Sequence, residues 1–297
     1  MRNLIVLAVV GFIAQLVDGS LGMAYGVTSS TLLLAVGLAP AAASAAVHFS
    51  EIGTSLVSGI SHFKLGNVDW RVVGTMAVPG GIAAFIGATF LSSIDGDVAK
   101  PWVAVLLLAL GAYVIFRFLR LGGRRPTFRG RPRTALLVPL AGVAGLLDAL
   151  GGGGWGPVGT PTLLASGRLE PRKVIGSIDT SEFVVAVGGS LGFLFALGSQ
   201  GIDFRIALAL LVGGVLAAPV AAWLAKRLPG RVLAVAAGGL IIVTNTNTLL
   251  GAFDVSGAIR ATVLIVLAVV WVSLIVWAVR QERASRRTDP DLTEAAA

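Results

Sequence analysis

Seven apolar stretches of roughly bilayer length dominate this 297-residue sequence, near 41–63, 70–94, 101–121, 174–198, 206–225, 232–253 and 258–280. A helix needs about 20 apolar residues to cross a membrane, and inside lipid the chain must satisfy its own backbone polar groups. Composition agrees, with 56% of residues hydrophobic and only 13% charged, against about 25% charged in soluble domains. The expectation is an all-α integral membrane protein, multi-pass. A disordered chain is excluded and a soluble enzyme disfavoured.

Two further apolar regions, 3–37 and 134–167, are too long for one span and are cut by glycine-rich polar sequence. The first interruption reads Asp18-Gly-Ser-Leu-Gly-Met-Ala-Tyr-Gly26, the second Asp148-Ala-Leu-Gly-Gly-Gly-Gly-Trp-Gly-Pro157. Each region is expected to form two half-helices of about 10–15 residues, re-entrant or in a tight hairpin. The second halves are placed near Val27 and near Pro157, whose missing N–H is harmless in a first helical turn. Residues 4–17 resemble a signal-peptide core, but a similar segment recurs mid-chain, so cleavage is not expected.

The two interruptions belong to an internal repeat. Asp18/Asp148, Gly22/Gly152, Tyr25/Trp155 and Gly26/Gly156 each lie 130 positions apart. After a one-residue insertion Pro40 matches Pro171, and Ser50-Glu51 matches Ser181-Glu182. Further on, Val68-Asp-Trp-Arg71 aligns with Ile202-Asp-Phe-Arg205. The domain reading is therefore a first repeat over 1–121, a basic linker over 122–133 and a second repeat over 134–253. An additional span, 258–280, and a polar tail, 281–297, expected to lack fixed structure, complete the chain.

Charge orients the halves. Net charge is +8, and the acid-free arginine run around 122–133 is placed in the cytoplasm by the excess of Lys and Arg in cytoplasmic loops. Every other basic cluster then falls on the same side, and so does the C-terminus. Loop 64–69 lies inside while its counterpart 198–203 lies outside, which makes the repeat an inverted-topology one, an arrangement associated with alternating-access transporters. The basic excess is read as facing lipid and cytoplasm, with no nucleic-acid partner.

In such proteins interrupted helices are the best pointer to a substrate site, because a broken helix offers free N–H groups and a partial positive charge at mid-membrane. Candidate substrate-binding residues are Gly22, Tyr25, Gly26, Thr28 and Ser29 at the first break, and Gly153, Gly154, Trp155, Gly156 and Thr160 at the second. Asn245 and Asn247 join them from the polar run Thr244-Asn-Thr-Asn-Thr248. For single glycines, close helix packing is the competing account. Asp18 and Asp148 are read as structural, capping the second half-helices or holding the loop.

Ionisable residues within spans usually face a partner or a water pathway. Glu51 and Glu182 occupy equivalent repeat positions. His48 and Asp179, three residues earlier, share a helix face with them. These four are candidate proton-coupling groups, weighed evenly against static helix-tying pairs. Zero Cys and two His leave no Cys-ligated or His-rich metal centre, and the acidic pairs lie on different segments, so no metal and no cofactor are expected. The Gly151–Gly156 run lacks a P-loop Lys-Ser/Thr, and no catalytic constellation is evident.

The run Gly11-Phe-Ile-Ala-Gln-Leu-Val-Asp18-Gly-Ser-Leu-Gly-Met-Ala-Tyr-Gly26, with Leu38-Ala-Pro-Ala-Ala-Ala-Ser44, Gly66-Asn-Val-Asp-Trp70 and Gly151-Gly-Gly-Gly-Trp-Gly-Pro157, resembles the sulfite exporter TauE/SafE family over about residues 5–255. The resemblance implies a permease for small sulfur-containing or organic anions, such as sulfite, sulfoacetate or related sulfonates, driven by protons. The competing functional classes are an integral-membrane enzyme acting on a small or lipid-linked anion, and a passive anion channel. Span 258–280 has no counterpart in the first half and is a candidate element for homo-oligomer assembly.

Overall fold

The computed structural model describes residues 4–21, 23–120, 132–166, 168–227 and 230–288. Its elements are α1 (Leu4–Leu21), α2 (Tyr25–Ala35), α3 (Pro40–Lys64), α4 (Trp70–Ser92), α5 (Gly96–Arg120), α6 (Thr134–Gly151), α7 (Trp155–Ala165), α8 (Pro171–Leu197), α9 (Phe204–Arg227), α10 (Gly230–Ala252) and α11 (Gly257–Thr288), with one 3₁₀ turn (Ser199–Gly201). No strand occurs among the described residues. Among those residues six helices are long and apolar enough to cross a membrane: Trp70–Ser92, Gly96–Arg117, Thr134–Gly151, Arg172–Leu197, Ala234–Ala252 and Gly257–Glu282.

Every expected span is occupied by a helix, with boundaries set by local chemistry. Pro40 and Pro171 open α3 and α8 at first-turn positions, where no N–H is required. Asp69 caps α4 through the amides of Arg71 and Val72, and Asp203 accepts from Arg205 N at the start of α9. The aligned motifs of the two halves are thus matching helix starts. Helix α3 is full length, yet Ser, His and Glu dilute its apolar character, and several of these polar side chains are buried inside the protein.

The interrupted regions differ from expectation in their proportions. Helices α1 and α6 are 18 residues each, and α2 and α7 are 11. A full-length helix is followed by a short one, in place of two similar halves. The reason lies at the acids: the first helix runs three residues past Asp18 or Asp148, which lets each carboxylate reach forward to the next helix. The short helices begin at Tyr25 and Trp155, two residues before the expected starts. The polar tail is also corrected, since α11 continues through Thr288. Its Arg, Glu, Gln and Ala residues are good helix formers and carry the helix past its apolar part. Most of the 122–133 linker lies outside the described residues.

Packing interleaves the two halves. Helix α4 lies against α6 and α8, α9 lies against α1 and α3, α5 pairs with α10, and α3 pairs with α8. Exchanging α1–α5 for α6–α10 converts each of these pairings into another of the set. The α2 contact with α10 likewise has its counterpart in α7 with α5. Helices α3 and α8 run antiparallel: Ser58 bonds Asp179 near one end, and Gly189 sits under the His48 ring near the other. Glycines bring backbones together, as small residues do in membrane interfaces. A Cβ on Gly145 would strike the carbonyl of Gly80, and one on Gly188 that of Gly81. Helix α11 packs on α10 alone to any extent, with Trp271 Nε1 donating to Val235 O at 3.0 Å, and very little of its span is buried.

Candidate functional site at the paired helix breaks

Each break is stitched by its own aspartate. Asp18 Oδ1 accepts the amide of Tyr25, the first residue of α2, at 3.1 Å. Asp148 Oδ1 accepts the amides of Gly154 and Trp155, at the start of α7, at 2.6 and 2.9 Å. A carboxylate at a helix N-terminus satisfies orphan donors and complements the macrodipole. The chain bends back at Gly152, whose φ of 65° suits glycine. In the first half Ala24 adopts a left-handed φ of 97° before α2.

The two breaks touch. Ser30 Oγ of α2 donates to Gly152 O at 3.2 Å. A side chain on Gly26 would collide with the Gly152 carbonyl, and one on Gly153 with the amide nitrogen of Val27. Between the tips lies a cavity of about 10 Å³, room for one water. Its lining includes Tyr25, Gly26, Gly153, Gly154 and Gly156, and also Asp18, Asp148, Asp179 and Glu182. The first-turn amides of Gly26, Val27 and Gly156 are donors that neither aspartate takes. Thr28 and Thr160 are fully buried, with hydroxyls that lack a hydrogen-bond partner, and Ser29 is buried beside them.

Trp155, Asn245 and Asn247 do not line that cavity, and their side chains and the Tyr25 hydroxyl have other partners. Trp155 is fully buried, its indole N–H on Ile178 O at 3.1 Å and its ring against Gly80, so it anchors α7 to α8. The Tyr25 hydroxyl bonds Ser50 Oγ at 2.6 Å and Leu210 O at 3.4 Å. Asn245 is buried and ties α10 to α2 through Thr31 Oγ1 at 2.9 Å. Asn247 is elsewhere: its Oδ1 accepts from Arg260 of α11 at 2.8 Å, beside a 610 Å³ cavity. Gly22 lies outside the described residues.

The ionisable groups regroup across the chain. His48 and Asp179 find partners on other helices, while Glu51 stays within 4.8 Å of His48 and Asp148. His48 Nε2 stands 3.3 Å from Asp148 Oδ2, and its Nδ1 is 2.9 Å from the Ser44 carbonyl. Asp179 accepts from Ser58 Oγ at 2.8 Å and faces His62 Nε2 at 3.4 Å. Glu51 is 2% exposed and neither of its carboxylate oxygens has a hydrogen-bond partner. The breaks bring α3 and α6 together, so His48 and Glu51 of one segment and Asp148 of another have ligating atoms within 4.8 Å of one another. Sequence reasoning did not find the roles of Ser30, Ser44, Ser50 and His62, since a serine in a glycine-alanine helix reads as ordinary packing.

Comparison with known proteins gives the family. The family model described as Sulfite exporter TauE/SafE matches residues 7–248. The chain belongs to the sulfite exporter TauE/SafE family. A Bacillus subtilis (strain 168) protein named "Probable membrane transporter protein YtnM" is 45% identical over 286 residues, covering 93% of each chain. A second from that organism, "Probable membrane transporter protein YdhB", is 26% identical over 185 residues, covering 61% of this chain and 73% of its own. No solved structure matches. The chain is thus a multi-pass membrane transporter of the TauE/SafE family. Helix α11 lies beyond the segment that the TauE/SafE model matches.

Proposed function

We propose that this TauE/SafE protein is a proton-coupled secondary transporter of small anions, sulfite or organic sulfonates among them, working by alternating access in the plasma membrane with its C-terminus in the cytoplasm. The observation that carries the reading is the contact between the two helix breaks, Gly26 against Gly152 and Gly153. Two short helices there direct first-turn amides and the hydroxyls of Thr28, Ser29 and Thr160 at one region, a donor set suited to anionic oxygens. The antiparallel packing of the equivalent helices α3 and α8 supports inverted halves, the arrangement that lets one site face either side in turn.

The carboxylates supply the coupling. An anion about 4 Å from an ionised carboxylate is repelled by roughly 4 kcal/mol at an effective dielectric of 20. Asp18, Asp148, Asp179 and Glu182 all line the space between the tips, so an anion enters only together with protons that neutralise part of this charge. Glu51, Glu182, His48 and Asp179 are the coupling candidates. The present cavity of about 10 Å³ has room for no solute larger than water.

Purified protein in proteoliposomes tests this reading. Labelled sulfite and sulfonate uptake should rise when a pH gradient is imposed, with the solute recovered unchanged. Flux indifferent to the gradient removes the coupling, conduction without saturation makes the protein a channel, and chemical conversion of the solute makes it an enzyme.

A further inference from the structure

Polar atoms without hydrogen bonds gather at one point in the core. His48 Nε2, both carboxylate oxygens of Glu51 and Asp148 Oδ2 lack hydrogen bonds. The three residues are 0, 2 and 1% exposed, and one ligating atom from each falls within 4.8 Å of the other two. An unsatisfied buried polar group costs about 1–3 kcal/mol, and more when charged. Four in one cluster call for a shared partner.

The surroundings define what that partner is. His48 Nδ1 is 2.9 Å from Ser44 O, a carbonyl that can only accept, so Nδ1 carries the hydrogen. In neutral imidazole this leaves Nε2 as a lone pair, facing Asp148 Oδ2, also an acceptor, at 3.3 Å. Only a proton or a cation between them makes that approach favourable. Asp148 cannot turn away, because its other oxygen is held by the amides of Gly154 and Trp155.

We infer that His48, Glu51 and Asp148 bind a divalent transition-metal cation of the Zn²⁺ or Mn²⁺ kind. Two carboxylates and a neutral imidazole match its charge. Bonds of 2.0–2.1 Å in tetrahedral geometry separate donors by about 3.3 Å, the spacing seen between His48 and Asp148. The imidazole favours transition metals over Mg²⁺ or Ca²⁺. Two of the ligands also have the outer support that metal sites use, a backbone carbonyl behind the histidine and amides behind the carboxylate. Three ligands leave a fourth position for water or a solute oxygen, and Asp148 also borders the cavity between the tips. A cation there makes an acid-lined space attractive to an anion. That last consequence rests on the anion-transport reading; metal binding itself does not. Because binding requires deprotonated ligands, metal and protons compete for His48 and Glu51, and Glu182 is the acid left to carry a proton with the metal in place.

The test is equilibrium metal binding by the full chain in detergent, stripped with EDTA and titrated with Zn²⁺ and Mn²⁺ against a chromophoric chelator, with Mg²⁺ as the comparison ion. One Zn²⁺ per chain is expected, with a Tm that rises with Zn²⁺ concentration and no response to Mg²⁺. His48→Gln and Glu51→Gln should each weaken Zn²⁺ binding at least roughly tenfold, so either suffices if the other fails to fold. His62→Gln should bind as wild type. A folded wild type that takes up no Zn²⁺, or ligand variants that titrate like it, overturns the site. Proton-coupled flux that persists in metal-free protein would leave the proposed function standing and overturn the metal's part in drawing in the anion.

Discussion

Asp18 and Asp148, 130 positions apart, hold the same relationship to the backbone: each carboxylate accepts the amide that begins the short helix following its own. Asp148 holds one amide more, that of Gly154. Asp148→Asn should therefore destabilise the protein more than Asp18→Asn. Loss of a charge-assisted cap costs about 1 kcal/mol, up to roughly 2. Thermal unfolding in detergent, with both variants measured side by side, checks the order; a larger drop for Asp18→Asn would contradict it.

Glu182→Gln should abolish uptake driven by a pH gradient while leaving exchange of labelled for unlabelled solute at equal pH. The glutamine keeps the shape and removes the titration. Proteoliposome flux in the two modes separates coupling from binding. Gradient-driven uptake at the wild-type rate would take Glu182 out of the coupling.

Gly26→Ala and Gly142→Ala should have opposite signs. A methyl at Gly26 meets the Gly152 carbonyl, whereas one at Gly142 meets nothing within 4 Å. Overpacking at the first should cost about 1–3 kcal/mol and lower flux. The second, in the interior of α6, should gain roughly 0.5–1 kcal/mol from helix propensity. Melting temperatures decide, and equal effects would mean that the tips are not in backbone contact.

A chain ended after Asp254 should still transport. Helix α11 lies outside the matched family segment and packs chiefly on α10, so its loss exposes one face of α10 to lipid without opening the site. Flux per molecule in proteoliposomes is the measure, and complete loss would place α11 in the transport cycle.

Much of this was legible in the residues, because bilayer length, glycine-rich interruptions and repeated acids are local signals. The helical spans and the two breaks were read from spacing. The proportions of the broken regions were not, since nothing in Asp18-Gly-Ser-Leu21 shows that the helix persists until the carboxylate can reach forward. Nor was the partner of His48. Helical spacing points to Glu51 three residues away, while Asp148 arrives from the other half only when the breaks meet. Asn245 and Asn247, two residues apart, looked alike in sequence and lie on different faces of α10, one bound to α2 and one to α11.

The interleaving of α4 and α9 sets an order on biosynthesis. Helix α1 finds its main packing surface on α9, which begins at Phe204, so about two thirds of the chain must leave the ribosome before the first helix meets its permanent neighbour. Insertion and assembly are thereby separated in time, as two-stage membrane folding allows, and through that interval α1 has only the short α2, its immediate successor, among its packing partners.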